Sequence, residues 1–336
     1  MIRLPGGDTA RHVKAFAHKQ IAGLVLCLGL GCGSSGPAYT PVSATTDGTL
    51  YTIDMGALRM VVDASTGARI TEFSLNGANV LTGTDVDPDN YGSTFWPSPQ
   101  SSWCSAGGGC WPPIAAIDTE AYTGSIDPTT NIVQLTSGMA SIAEFANSAV
   151  TVTKQFTPIP DSGAVDVTYT LTNVSPSVTV SVAPWQISRV QATGGLTFFA
   201  SPDATPTYQA GSSASFKLTS ESGDLWYAFS PVTGNSKAGA DGEGWVAHVT
   251  QSRLFYLLSF PNIQPSEAAP GEAEVELYTG PSSDYLEIET QGALTSIAPG
   301  ATLVWTVRWK LRPIIVAKVA VGSADLESIA SFTLAQ

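Results

Sequence analysis

Apolar and polar residues alternate along short segments from residue 49 to residue 313, and this pattern constrains the fold more than any other feature. Residues 165–171 (VDVTYTL) and 303–311 (LVWTVRWKL) are clear examples. A repeat of two is that of a β-strand, whose successive side chains point to opposite faces of a sheet. Turn-forming residues such as 160–163 (PDSG) separate the segments. The pattern predicts an all-β domain, a large antiparallel β-sandwich, over residues 49–313.

The first 31 residues have the composition of an export signal. A basic stretch with Arg3, Arg11, Lys14 and Lys19 precedes an uncharged apolar run, residues 21–31 (IAGLVLCLGLG). This run is shorter than the about 20 residues that a membrane-spanning helix needs. A basic stretch, a short apolar run and small residues in this order are typical of a cleaved secretory signal.

The residues around Cys32 resemble a lipoprotein signal, in which the cysteine becomes the lipidated N-terminus. Gly33, rather than Asp, follows Cys32, and in such proteins this permits sorting to the outer membrane. The resemblance implies a cell-envelope protein that is held by its lipid alone and faces the periplasm or the exterior. A secreted protein and an uncleaved anchor are the alternatives. The predicted parts are a signal peptide (1–31), the lipidated cysteine with a flexible tether (32–48), the β-sandwich domain (49–313) and a C-terminal extension (314–336).

Two cysteines, Cys104 and Cys110, remain in the mature domain, and a glycine-rich run separates them. In an oxidising compartment such a pair favours a disulfide that closes a small loop. A two-cysteine metal site is the alternative, but no nearby Cys or His completes it. Residues 85–90 (DVDPDN) begin like a calcium loop, yet they lack its glycine and its bidentate glutamate. The sequence predicts no metal site and no cofactor.

The net charge of the chain limits the kinds of partner that it is expected to bind. The leader contains four of the 15 basic and one of the 28 acidic residues, which leaves the mature chain with a net charge of −16. A protein that binds nucleic acid neutralises phosphates with basic side chains, so nucleic acid is not an expected partner. His248 is the one histidine of the mature chain, which excludes zinc sites built from several histidines.

The tail after Pro313 contains two patterned segments. Residues 314–321 (IIVAKVAV) predict one more strand, because they are rich in β-branched residues. Residues 325–330 (DLESIA) predict a short helix. The extension is thus expected to add one strand and one helix to the sandwich.

Residues 285–311 (YLEIETQGALTSIAPGATLVWTVRWKL) resemble the C-terminal end of aldose 1-epimerases, the galactose mutarotases. There, a Leu-Glu-Thr-Gln strand is followed by Leu-x-Pro-Gly and a final strand of alternating Thr and aromatic residues. Residues 90–103 (NYGSTFWPSPQSSW) and 183–189 (APWQISR) resemble more closely an uncharacterised mutarotase-like family of bacterial envelope lipoproteins. The resemblance implies a mutarotase-type β-sandwich and a carbohydrate ligand.

The same resemblance implies that Glu289 is the catalytic base, as the glutamate of the Glu-Thr-Gln strand. Glu287 shares its face two residues earlier, and a buried pair of like charges raises one pKa, which suits acid–base work. Ring opening at an anomeric carbon also needs an acid, yet residues 182–187 (VAPWQI) contain no histidine where mutarotases have one. His248 is a second catalytic candidate, and a structural role in an apolar strand is the alternative for it. The alternative for Glu289 is a solvated face, which is the face expected for Glu272, Glu274 and Glu276.

Aromatic residues replace the missing polar groups. Trp96, Trp103 and Trp185 are predicted to bind substrate, because an indole presents a flat apolar face and one N–H donor to a sugar ring. Their Pro, Gly and Ser neighbours place them in loops or at a cleft rim, and burial in the core is the alternative. Gln100, Arg189 and Glu287 are the polar members of the predicted substrate-binding set. By contrast, Trp305 and Trp309 are expected in the core.

Three hypotheses follow. The first is an envelope lipoprotein that recognises carbohydrate and lacks standard galactose mutarotase activity. The second is a carbohydrate-active enzyme, an epimerase or lyase, with Glu289 as base. The third is a structural or assembly lipoprotein that uses the fold for protein contacts. Because the acid is missing, the sequence favours recognition over catalysis.

Overall fold

Two antiparallel β-sheets make up most of the structure, a computed structural model that describes residues 41–104, 110–202, 205–281 and 283–336. Cys32 and the predicted signal peptide lie outside these residues. In chain order the strands are β1 (Ser43–Thr46), β2 (Leu50–Met55), β3 (Leu58–Asp63), β4 (Arg69–Leu75), β5 (Ala78–Asn79), β6 (Ser93–Ser98), β7 (Thr123–Ile126), β8 (Val133–Thr136), β9 (Val150–Ile159), β10 (Ala164–Asn173), β11 (Val180–Gln191), β12 (Leu196–Ala200), β13 (Thr207–Tyr208), β14 (Thr219–Glu221), β15 (Asp224–Ala228), β16 (Ser236–Ala240), β17 (Trp245–Val249), β18 (Leu254–Ser259), β19 (Val275–Thr279), β20 (Tyr285–Gln291), β21 (Thr295–Ile297) and β22 (Thr302–Pro313).

The first sheet has the order β1-β2-β3-β4-β6-β11-β20-β19-β16-β13, with β5 paired to β4 and β21 paired to β11. The second sheet has the order β14-β15-β12-β17-β18-β22-β10-β9-β8-β7. The helices are short: α1 (Ala115–Asp118), α2 (Ala324–Leu334) and the 3₁₀ helices Gln100–Trp103, Pro160–Ser162 and Pro265–Glu267. No helix among the described residues is long and apolar enough to cross a membrane.

The core lies between the two sheets and follows the alternation in the sequence. In β10, Val165, Val167, Tyr169 and Leu171 are all buried, while the residues between them are partly exposed. Strands of both sheets supply the side chains of this one apolar cluster. Trp305 and Trp309 of β22 belong to it, as expected. The predicted all-β antiparallel sandwich is therefore confirmed.

Strand β1 lies within residues 32–48, which the sequence predicts to be a flexible tether. Ser43 to Thr46 pair with β2 and form an edge of the first sheet. The tether prediction does not hold for these four residues. Two of them are threonines, whose branched side chains suit an extended edge strand despite the small, polar composition.

The C-terminal extension differs from its prediction. Residues 314–321 form no strand, since β22 ends at Pro313 and is already flanked by β18 and β10, so no free edge remains beside it. Helix α2 is longer than predicted. Its buried residues Leu326 and Ala330 belong to a second apolar cluster on the second sheet, with side chains such as Phe198. The extension therefore covers the outer face of the second sheet instead of adding a strand.

Candidate functional site

A cavity of about 440 Å³ opens on the first sheet, on the face that points away from the core. In β20, Leu286 and Ile288 point into the core, and the residues that alternate with them, Glu287 and Glu289, line the cavity. Five aromatic side chains and four side-chain amides complete most of the wall. They are Trp96, Trp111, Trp185, Tyr278 and Tyr285, and Asn90, Gln100, Gln209 and Asn235.

Strand register places the charged residues in neighbouring cross-strand rows. Glu289 in β20 lies opposite Glu276 in β19 and opposite Ile187 in β11. In the next row, Glu287 lies opposite Tyr278 and Arg189. Side chains that are directly opposite in an antiparallel sheet have Cβ atoms about 5 Å apart. The register thus places charged residues of three strands, β11, β19 and β20, side by side on one face of the sheet.

Lys237, in β16, is the centre of an ionic cluster. Its Nζ lies 3.0 Å from Oε2 of Glu289, 3.0 Å from Oε2 of Glu276 and 3.7 Å from Oε2 of Glu272. The ammonium also lies 4.9 Å from the centre of the Trp185 ring, within the range of a cation–π contact. Gly239 leaves the space for this arrangement, because a Cβ there would lie 3.2 Å from Cγ of Glu276. One lysine therefore partners three carboxylates and an indole.

Burial and charge set the protonation of the cluster. Burial alone would lower the pKa of Lys237, but the carboxylates of Glu289, Glu276 and Glu272 outweigh it and hold that pKa above its usual value. Burial raises the pKa of Glu276 well above its usual value, against the opposing effect of Lys237. Lys237 therefore stays protonated, so it acts as a fixed positive charge and not as a general acid near neutral pH.

Glu289 is held from two sides through one oxygen. Its Oε2 accepts hydrogen bonds from Nζ of Lys237 at 3.0 Å and from the indole nitrogen of Trp185 at 2.9 Å. Among the described residues, its Oε1 has no hydrogen-bond partner. The carboxylate is thus oriented by the protein and retains one oxygen as an acceptor at the cavity wall.

Glu287 has a separate cation, Arg189 of β11. The guanidinium Nε donates to Oε1 of Glu287 at 2.8 Å, and the guanidinium also lies 5.5 Å from the centre of the Trp96 ring. Burial raises the pKa of Glu287, and Arg189 opposes that rise. Arg189 itself is 1 % exposed and is not among the residues that line the cavity. It supports the wall from behind.

The tryptophans predicted to bind substrate form one cluster with Ile187. The ring centres of Trp96 and Trp185 are 5.3 Å apart, and Trp103 lies 5.5 Å from Trp96 and 5.9 Å from Trp185. Trp96 and Trp185 line the cavity, whereas Trp103 packs behind them and donates its N–H to the carbonyl of Pro97. The cluster therefore contributes two largely buried indole side chains to the wall.

The expectation of loop positions is wrong for Trp96 and Trp185, whereas Trp103 lies in the short 3₁₀ helix that follows β6. Trp96 and Trp185 lie opposite each other in the paired strands β6 and β11, and all three tryptophans are less than 8 % exposed. The neighbouring prolines suggested loops, but Pro97 and Pro184 face each other within the same pair of strands. A proline next to a tryptophan therefore does not indicate a loop at these two positions.

The predicted disulfide between Cys104 and Cys110 is present, with the two Cα atoms 4.2 Å apart. Gln100, just before this loop, donates its side-chain N–H to the carbonyl of Cys110, and its backbone N–H donates to Glu272. Trp111 follows the disulfide, is 55 % exposed and lines the cavity. Trp111, directly after the disulfide, thus places an accessible indole in the cavity wall.

His248 lies elsewhere. It belongs to β17 of the second sheet, is completely buried and is not among the residues that line the cavity. Its Nδ1 lies 2.9 Å from the hydroxyl of Thr197, and burial lowers its pKa to about 3. The structure therefore does not bring His248 to Glu289, and the cavity contains no histidine.

The expectation of a solvated face for Glu272, Glu274 and Glu276 is also wrong. Glu274 and Glu276 are 1 % and 4 % exposed, and Glu272 is partly buried. Glu276 is satisfied by Lys237 and by the amide of Gln291, and Glu274 accepts the backbone N–H of Gly242 at 2.7 Å. Each carboxylate is buried because another strand or loop supplies its partner.

Sequence reasoning missed Lys237, Tyr278 and Tyr285. Lys237 is a single lysine in a strand of small residues, SKAGA, and this is the signal that could have singled it out. Tyr278 and Tyr285 lie in strands whose alternation marks the cavity face, but their polar neighbours made that face look exposed.

Fold and site together define a class of protein: a large antiparallel β-sandwich with a ligand-sized, aromatic and acidic cavity on the outer face of one sheet. The fold is similar to that of several solved galactose mutarotase-like proteins. A galactose mutarotase-like protein from Lactobacillus casei matches with a TM-score of 0.54 and 12% identity, over 78% of this chain and 100% of that chain. A putative aldose 1-epimerase from Escherichia coli K12 matches with a TM-score of 0.50 and 12% identity, over 79% and 99%.

A third structure, the GalM/aldose epimerase homologue from Caenorhabditis elegans, matches with a TM-score of 0.50 and 10% identity, over 82% of this chain and 99% of that chain. No protein-family model and no curated protein matches the sequence. At these identities the likeness establishes the fold, and the function has to be argued from the cavity.

Proposed function

We propose that this protein is an envelope lipoprotein whose β-sandwich binds carbohydrate in the cavity of the first sheet. One observation carries the proposal: the exposed indole of Trp111 and the buried indoles of Trp96 and Trp185 line a cavity of about 440 Å³ together with the oriented carboxylate of Glu289. Aromatic faces suit the C–H face of a sugar ring, and carboxylates and amides suit its hydroxyl groups. The shared fold with mutarotase-like proteins supports a carbohydrate-related role.

The lipoprotein part of the proposal rests on the sequence around Cys32. The basic leader, the short apolar run and the small residues before this cysteine support export followed by lipidation. Metabolic labelling with palmitate in a bacterial host tests it. We expect label on the wild-type chain and none on Cys32→Ala, and equal labelling of the two would contradict lipidation at this residue.

Trp111 offers the direct test of carbohydrate binding, because it is exposed and its truncation leaves no cavity in the core. Titration calorimetry with a panel of neutral oligosaccharides should identify a ligand of the wild-type protein. Trp111→Ala should then weaken that ligand's affinity by about fivefold or more, since an aromatic contact contributes roughly 1 kcal/mol. Phe332→Ala is the matched control, because Phe332 is 54 % exposed and belongs to helix α2. Failure of every sugar to bind would reject the proposal.

An enzyme with Glu289 as base is the second candidate. The observation that favours it is that Glu287 and Glu289, on one face of β20, both line the cavity. No histidine lines the cavity, and Lys237 is held protonated, so standard mutarotation lacks its usual acid.

Exchange between the anomers of any sugar that binds can be followed by NMR of the anomeric protons. Recognition without catalysis predicts no acceleration over buffer by the wild-type protein. Acceleration that disappears in Glu289→Gln and survives in Glu120→Gln, an exposed glutamate outside the cavity, would establish the enzyme instead.

A further inference from the structure

The charge of the cavity wall restricts which carbohydrate it can hold, and this inference rests on the proposed function. Three carboxylates, from Glu289, Glu276 and Glu272, surround the one ammonium of Lys237. Glu287 pairs one-to-one with Arg189. Among the described side chains that line the cavity, two are acidic, Glu287 and Glu289, and one is basic, Lys237, so an anionic ligand would add to an excess of acidic groups.

The basic side chains in and behind the wall, Lys237 and Arg189, are already paired. The ammonium of Lys237 has three carboxylates within 4 Å, and Arg189 lies behind the wall against Trp96. An incoming carboxylate or phosphate would meet no unpaired cation among the residues that line the cavity. Burying such a group without a partner costs several kcal/mol, so the site disfavours it.

Acceptors, by contrast, remain available. Oε1 of Glu289 and Oε2 of Glu287 have no hydrogen-bond partner in the described part of the chain, and both side chains line the cavity. These residues are more than nine-tenths buried, at 2 % and 8 % exposure. Carboxylate oxygens of this kind accept from O–H and, more strongly, from N⁺–H groups.

The aromatic side chains near Glu287 also favour a positively charged ligand. Tyr278 and Tyr285 stand in the wall next to Glu287, and burial, followed by the charge of Glu287, raises the pKa of both phenols. They therefore remain neutral donors. The exposed indole of Trp111 adds an aromatic face, and aromatic faces attract cations.

We propose that the cavity takes a sugar with a free ammonium group, held by Glu287 and Glu289, and excludes uronic acids and phosphorylated sugars. An ammonium beside Glu287 also favours the ionised form of that carboxylate, so the ligand reinforces the charge that binds it. Neutral sugars fit the same cavity through their hydroxyl groups, with lower affinity.

Four trisaccharides test the proposal by calorimetry with the full chain at neutral pH and low salt: the glucosamine trimer, its N-acetylated counterpart, cellotriose and trigalacturonic acid. We expect the glucosamine trimer to bind about tenfold more tightly than cellotriose or the N-acetylated trimer, since a charged hydrogen bond contributes about 1.5 kcal/mol or more. Trigalacturonic acid should bind most weakly. Glu287→Gln should reduce the affinity for the glucosamine trimer to about that for its N-acetylated counterpart, and Glu120→Gln should leave the tenfold ratio between the two unchanged.

The outcomes separate the two proposals. Equal binding of the glucosamine trimer and its N-acetylated counterpart, or tighter binding of trigalacturonic acid, overturns the ammonium inference and leaves carbohydrate binding intact. A preference that persists in Glu287→Gln also overturns it. Absence of binding by all four sugars, and by the wider panel of neutral oligosaccharides, rejects carbohydrate recognition itself.

Discussion

The single lysine of the cavity decides whether several acidic side chains can be buried together. Lys237 lies within 4 Å of three carboxylates, and two of these, on Glu276 and Glu289, are almost inaccessible to solvent. A buried charge without a partner costs several kcal/mol, whereas a paired and hydrogen-bonded one is tolerated. The energetics of the site therefore depend on one side chain more than on any carboxylate.

Replacement of Lys237 should show how strongly the stability of the folded chain depends on this side chain. Lys237→Met keeps a long side chain but leaves Glu276 and Glu289 without a cation, and we expect a loss of about 3 kcal/mol or more in the free energy of unfolding. The loss should be smaller in mildly acidic buffer, because burial raises the pKa of Glu276 and its neutral form needs no cation. Urea denaturation at both pH values measures it, with Lys217→Met, at an exposed lysine, as control. Equal stabilities of the two variants would show that Lys237 does not hold the cluster.

At the scale of elements, helix α2 covers an apolar face of the second sheet. The second sheet has an apolar outer face, with Phe198, Trp226 and Phe255 among its buried side chains. Helix α2 packs on this face through Leu326, which is fully buried. An uncovered apolar face of this size would favour association, so the extension is part of the folded unit.

Leu326→Ala tests this packing. Removal of a fully buried leucine side chain leaves a cavity, and we expect a cost of about 2 to 4 kcal/mol in the free energy of unfolding. Leu334→Ala, near the end of the same helix and 37 % exposed, should cost far less. Urea denaturation followed by tryptophan fluorescence measures both. A small cost at Leu326 would mean that α2 contributes little to the stability of the second sheet.

At the scale of the whole molecule, a buried histidine makes the folded state sensitive to acid. His248 has a pKa of about 3 in the folded chain because burial disfavours its charged form, against an ordinary value of 6.5. Below that ordinary value the unfolded chain binds a proton that the folded chain does not. This contribution to stability is therefore complete above about pH 6.5 and is lost as the pH falls toward about 3.

His248→Asn removes the titration and can retain a hydrogen bond to Thr197. Between about pH 7 and about pH 4.5 we expect the wild type to lose on the order of 2 kcal/mol more than the variant. Thermal melting at the two pH values compares them. The other two histidines, His12 and His18, belong to the predicted signal peptide, so we expect no further histidine to titrate in the processed chain. Parallel losses in both proteins would contradict the buried, neutral state of His248.

Much of the architecture follows from local patterns. Alternation identified the β-sandwich, the faces of β20 and the core positions of Trp305 and Trp309, because a strand's two faces can be read from its own residues. The close pair Cys104 and Cys110 similarly marked its own disulfide. Where a local signal conflicted with the tertiary fold, prediction failed: Pro97 and Pro184 suggested loops but lie in paired strands, and the β-branched residues 314–321 suggested a strand but pack in the apolar cluster on the second sheet.

The sequence by itself determined which residues alternate, and hence that Glu287 and Glu289 share a face. Only the tertiary structure decided what that face meets. Strand order places β16, β19, β20, β11 and β6 side by side, which brings Lys237 to Glu289 across 52 positions of sequence and leaves His248 in the other sheet. The physical reason is that a strand's pattern specifies which side is buried, whereas its neighbours depend on long-range pairing that no local pattern encodes.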